Sequence, residues 1–211
     1  DKFNIKLAVA GYDYRFGYLG KGDITLLKEL GQKYGFRVVV IPPIKCDNKV
    51  VSSTRIRQCV INGDLETAYK LLGRNYSITA EVVSGRRIGN TIGFPTANIH
   101  PEKYLVLPAN GVYITKTLLD GKLYNSMTNV GYNPTFEDVK EKTVETHIID
   151  FNQDIYGKKI EVFFLKKIRD EAKFKTVELL KEQIAKDMTY ARKYLEIGTE
   201  VSECEENSDQ H

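Results

Sequence analysis

Residues 93–98 read GFPTAN and residues 144–151 read VETHIIDF. In the first string Gly93 and Pro95 fix an unusual backbone path, while Thr96 and Asn98 each offer a side-chain oxygen on the same side of an extended segment. Magnesium prefers hard oxygen ligands and takes few of them from protein where nucleotide phosphates supply the rest, so two neutral oxygens suit that task. The same residue types also suit a tight turn in which Thr and Asn satisfy their own backbone. In the second string Glu145, His147, Ile149 and Phe151 share one face if the run is a strand. A carboxylate among apolar neighbours is partly desolvated, which raises its pKa toward the range of a general base. A solvated strand glutamate is the other reading. His147 reads as packing or orienting.

Just upstream, Gly85, Arg86, Arg87, Ile88, Gly89 and Asn90 combine flexible backbone with positive charge. Backbone amides and arginines of this kind cradle phosphates without a Walker loop, or simply form an exposed basic loop. No GxxxxGK[ST] string occurs, which excludes a P-loop kinase.

On GFPTAN and VETHIIDF the chain resembles the riboflavin kinase family, and specifically the kinase half of bacterial bifunctional riboflavin kinase/FMN adenylyltransferases. The resemblance implies that Thr96 and Asn98 hold a magnesium ion bridging ATP phosphates, with Pro95 shaping the segment and Gly85, Arg87 and Gly89 screening phosphate charge. It implies that Glu145 is the base for the ribityl 5'-hydroxyl. For the flavin it points to residues 129–135, with Asn129 and Thr135, and to Arg169 and Phe174. Family members often carry Arg before Pro where this chain has Asn133. ATP, ADP, riboflavin and FMN are the implied small-molecule partners, and no obligate protein partner is evident. A non-catalytic flavin- or nucleotide-binding protein would keep the same pocket residues.

Residues 11–17, GYDYRFG, and 52–57, SSTRIR, are similar to the later motifs of the family's FMN adenylyltransferase domain. There Ser53, Thr54 and Arg55 or Arg57 at a helix start would bind ATP phosphates, although capping by Ser53 explains the string equally. That domain normally begins with an HxGH signature, which none of the 3 histidines forms. The expectation is a chain that starts partway through the domain, lacks adenylyltransferase activity and exposes apolar sheet edges.

Positioning these groups requires two kinds of architecture. Ile5 to Ala10, a helix capped by Asp23 and ended by Gly35, and the β-branched run Phe36 to Ile41 read as a βαβ segment whose second strand is buried. Helices are expected from Ser53 and after Asp64. From Tyr76 the pattern changes to short strands: Ile78 to Val83, Gly111 to Leu119, Leu123 to Val130, Val144 to Phe151 and Lys159 to Lys166, with Asp120 and Gly121 as a hairpin turn. Phe174, Val177, Leu180, Ile184, Met188, Ala191 and Leu195 form one apolar helix face. The predicted class is α+β. A partial α/β segment at 1–74, by the resemblance a Rossmann-like nucleotidyltransferase piece, precedes an antiparallel barrel or sandwich with a terminal helix at 75–198, by the resemblance a Greek-key barrel. The acidic tail at 199–211 is expected to be disordered.

The formal net charge of +3 argues against nucleic acid, which a small barrel with basic loops could otherwise bind. No run approaches a membrane span or a secretion leader. The 3 widely spaced cysteines suggest free thiols in a reducing cytoplasm.

Overall fold

A computed structural model describes residues 4–85, 92–102, 104–132 and 142–206, with side-chain surroundings as far as Glu196. Two compact units divide the chain, Asp1–Ser52 and Ser53–His211.

In the first unit β1 (Leu7–Gly11) and β2 (Arg37–Ile41) pair in parallel, joined through α1 (Ile24–Tyr34). Asp23 accepts from the Leu26 amide at 3.0 Å, and Gly35 closes the helix at φ 76°, a left-handed position that glycine adopts without a Cβ penalty. The expectation of a buried β2 is corrected: Val38, Val39 and Val40 are half-buried and Ile41 is 48% exposed. One helix can cover only one face of a two-stranded sheet. A small hairpin of β3 (Lys45–Cys46) and β4 (Lys49–Val50) was not anticipated. It turns on Asp47 and Asn48, both at positive φ as a type I′ turn requires.

The second unit opens with α2 (Ser53–Asn62) and α3 (Leu65–Leu72), the latter capped by Asp64 accepting from the Thr67 amide at 3.1 Å. Six strands follow: β5 (Tyr76–Val83), β6 (Ala97–Ile99), β7 (Gly111–Leu119), β8 (Lys122–Tyr132), β9 (Lys142–Ile148) and β10 (Lys159–Arg169). They close into an antiparallel barrel in the order β10-β5-β6-β9-β8-β7. Because β10 returns to lie beside β7, the last four strands make a Greek key. Asp120 and Gly121 form the β7–β8 turn at φ 50° and 79°.

Strand alternation sends Ile78, Val82, Val130, Val144, Val162 and Phe164 into the barrel. Hydroxyls fill part of the same interior. Thr117 and Thr115 each bond Ser126 at 2.8 Å, Thr115 bonds Thr128 at 2.8 Å, and Thr128 bonds Thr146 at 3.0 Å, all fully buried. The chain of hydroxyls satisfies itself, as buried polar groups must.

On the outer wall α4 (Val177–Glu206) sets Ile184, Met188, Ala191 and Leu195 against Ile114, Met127, Ile149, Leu165 and Ile168. The helix starts later than Phe174 suggests, because Thr176 caps it by accepting from the Leu179 amide at 3.3 Å. It runs to Glu206, into the segment whose composition predicts disorder. Among the described residues no helix is long and apolar enough to cross a membrane.

Candidate active site

Strand register brings the two sequence motifs together. Asn98 on β6 stands opposite Glu145 on β9, and Glu145 stands opposite Asn129 on β8. Directly paired residues share a face, with Cβ atoms about 5 Å apart. Since Ile99, Val144 and Val130 point inward, Asn98, Glu145 and Asn129 form a polar row on the outer wall. The row continues through Val112 to Arg169 on β10.

Two cavities meet at this wall. One, of about 530 Å³, opens at the barrel mouth between Pro95, Thr96 and Ala97 on one side and Phe151 to Tyr156 on the other, with Thr146 and Ile148 at its base. The second, of about 270 Å³, lies beneath the start of α4 and is walled largely by apolar side chains, including Ile92, Phe94, Val112, Met127, Phe174, Leu180 and Ile184. Asn129, Glu145, His147, Arg169, Glu171 and Asp187 are among its polar groups. Thr96 lines both cavities.

Local sequence explains the segment's path. Gly93 at φ 85° turns the chain, Pro95 denies it a ladder amide, and β6 begins only at Ala97. Gly85 leaves room for the Asn98 carboxamide: a Cβ built there would lie 2.1 Å from Asn98 Nδ2. Thr96 Oγ1 and Asn98 Oδ1 are hard, neutral donors beside a carboxylate, a set that fits a divalent cation already partly ligated by phosphates. Among the described residues no group of three or more His, Cys, Asp or Glu side chains gathers to hold a metal alone.

Glu145 and His147 are half-buried on the same outward side of β9. His147 Nδ1 lies 2.7 Å from the Pro95 carbonyl oxygen, and its ring meets Phe94 edge-on at 5.8 Å. The expectation that Phe151 shares this face is corrected. β9 ends at Ile148 and Asp150 turns at φ 57°, so Ile149 stays under α4 while Phe151 packs against the core cluster and Tyr124. Beyond the turn, Arg192 on α4 grips Asp150 with two bonds of 2.8 and 2.7 Å, holding that carboxyl below its usual pKa.

Arg169 lines the second cavity but is engaged by a partner missed in the sequence. Its Nε and Nη2 donate to Asp187 Oδ2 at 2.9 and 2.8 Å, and Gln183 donates to Asp187 Oδ1 at 2.9 Å. Asp187 is 4% exposed, and the guanidinium also covers the Phe174 ring at 5.7 Å. Spacing could have found it: Asp187 falls between Ile184 and Ala191 at helical period, a charge on the apolar face. Ser53, Thr54 and Arg57 begin α2, are exposed and line neither cavity. Arg87, Gly89, Asn133 and Thr135 lie outside the described residues.

The site is thus a Greek-key barrel with two cavities that share Thr96, the second of them lined by Asn129, Glu145 and Arg169 of the polar row, while Asn98 lines neither. The family profile for riboflavin kinase matches residues 72–195, and that for FAD synthetase matches residues 1–55. This chain belongs to the riboflavin kinase family. The bifunctional riboflavin kinase/FMN adenylyltransferase of Buchnera aphidicola subsp. Schizaphis graminum is 43% identical over 93% of this chain and 64% of its own length. The Bacillus subtilis protein of the same name is 39% identical over 90% of this chain and 61% of its own. A crystal structure of a macrolide-efflux protein from Streptococcus pneumoniae superposes with a TM-score of 0.80 at 39% identity, over 90% of this chain and 60% of that one. The chain thus spans less than two thirds of these relatives.

Proposed function

We propose that this chain transfers the γ-phosphoryl group of ATP to the 5'-hydroxyl of riboflavin, giving ADP and FMN. The nucleotide occupies the barrel-mouth cavity, whose lining is polar, and the isoalloxazine ring occupies the apolar cavity under α4. The carrying observation is the register of Asn98, Glu145 and Asn129, with Thr96 bordering both cavities. Phosphoryl transfer asks mainly for positioning and charge neutralisation, and a shared wall supplies the first. Thr96 and Asn98 would hold magnesium, which neutralises phosphate charge when bound.

Glu145 accepts the hydroxyl proton as the new P–O bond forms and the bond to the β-phosphate oxygen breaks. Asn129 and the Arg169–Asp187 pair orient the flavin, and the family resemblance assigns the screening of phosphate charge to Gly85, Arg87 and Gly89. Thr135 belongs with the flavin contacts. Ser53, Thr54 and Arg57 belong to the adenylyltransferase half, a reading supported for Ser53 and Thr54 by the FAD synthetase profile over 1–55. We place the functional boundary near residue 74, close to where the kinase profile begins at 72, and the setting in the cytoplasm, where both substrates are at hand.

Glu145→Gln tests the base. Turnover should fall by roughly 10²- to 10⁴-fold with nucleotide affinity nearly intact, the range for losing a positioned acid or base. Turnover like wild type, measured by FMN formation, removes Glu145 from the reaction.

A further inference from the structure

The Pro95–Thr96 end of the PTAN segment meets the strand carrying Glu145 through the side chain of His147. β6 pairs with β9 from Ala97 onward, so Pro95 and Thr96 lie beyond the end of the ladder. There the imidazole of His147 does what the next backbone bond would have done: its Nδ1 sits 2.7 Å from the Pro95 carbonyl oxygen. A carbonyl only accepts, so Nδ1 carries the proton and the tautomer is fixed. The edge of the ring against Phe94 at 5.8 Å limits its rotation. Thr96, the next residue after that carbonyl, is the one that borders both cavities.

We propose that His147 is a positioning residue for the nucleotide, clamping the Pro95 carbonyl so that Thr96 keeps a fixed distance from Glu145. Its role in turnover rests on the kinase reading above; its role in holding the segment does not. A clamp made by Nδ1 has a distinctive signature under substitution. The amide nitrogen of Asn reaches the position of Nδ1, whereas Gln reaches that of Nε2.

His147→Asn should therefore keep ADP affinity, measured by calorimetry with magnesium present, within about threefold of wild type. His147→Gln and His147→Ala should weaken it by about tenfold, and turnover should follow the same order, since small misplacements cost 10-fold or more. Gln rescuing better than Asn would mean a direct Nε2 contact with substrate, and equal losses in Asn and Gln would mean ring packing alone; either overturns the clamp. Unchanged affinity in all three variants does so as well. If His147→Ala fails to fold, the Asn and Gln pair still decides. Nitrogen-15 NMR of the wild-type imidazole gives a readout free of activity: the proton belongs on Nδ1, and a neutral ring protonated only at Nε2 overturns the proposal. Wild-type protein that binds ADP but forms no FMN would strike the kinase reading and leave the Asn–Gln contrast standing.

Discussion

Asn98 shows how much one missing methyl can decide. Its carboxamide lies over Gly85 in the space a Cβ would take, 2.1 Å from Nδ2. Gly85→Ala should swing that amide out of the polar row, since a side-chain end yields more easily than backbone. Stability should change by less than about 1 kcal/mol, as for most changes outside the core. Magnesium-dependent nucleotide affinity should drop by about tenfold, the scale of one lost charge-assisted contact. Calorimetry alongside thermal melting separates the two effects. Residue type and motif singled out Thr96, Asn98 and Glu145 in the sequence, and strand register sets Asn98 opposite Glu145. The room that Gly85 leaves was not legible there, because it depends on a partner brought near by strand pairing.

At the scale of elements, α4 is held by more than its apolar face. Asp187 ties it to the end of β10 through Arg169, in a pair whose exposures are 4% and 22%. Asp187→Ala leaves the guanidinium uncompensated in a half-buried place, and stability should fall by about 3 kcal/mol, the low end for breaking a buried pair. Flavin affinity should fall with it, because Arg169 and Phe174 line the same cavity; urea melts and flavin fluorescence titrations measure each. Asp187→Ala with unchanged melting would show that the pair contributes nothing to the attachment. Long periodic elements were readable: β7 has the bounds that alternation predicts, and α4 differs at its start only by the Thr176 cap. β6 escaped notice because three residues after a proline carry no period. The extension of β9 to Phe151 failed because Asp150 adopts a positive φ that alternation cannot foresee.

For the whole molecule, the barrel's interior is the common support. Tyr113 is fully buried there and donates its hydroxyl to the Ala109 carbonyl at 2.5 Å. Burial, with a smaller push from the Asp170 charge, holds its pKa well above the usual phenol value of 10.0. The folded value is the higher one, so this contribution to stability is complete below pH 10 and is lost as pH rises above it, where the unfolded chain ionises first. Denaturant midpoints should begin to decline near pH 10 and keep falling as the pH rises further. The decline should be shallower in Tyr113→Phe, with Tyr76, whose pKa burial also raises, keeping part of the slope. Identical slopes would place the effect elsewhere. The change from βαβ grammar to antiparallel strands was plain in the sequence, but strand spacing left barrel and sandwich both open, and the Greek key came from the family resemblance. The barrel's hydroxyl-lined interior was not legible: Thr115, Thr117 and Thr128 look like solvent-facing positions until cross-strand neighbours are known.

Those hydroxyls also act as a key. An apolar barrel tolerates a strand sliding by two residues, because each inward methyl meets another methyl. Here a slide that moved Ser126 from opposite Thr115 to opposite Tyr113 would leave Thr115 facing Tyr124 and strand hydroxyls in a dry interior, a loss of about 1–3 kcal/mol for each group. The wall bearing Asn129 and Glu145 is therefore locked in alignment from behind, by atoms that need never touch a substrate.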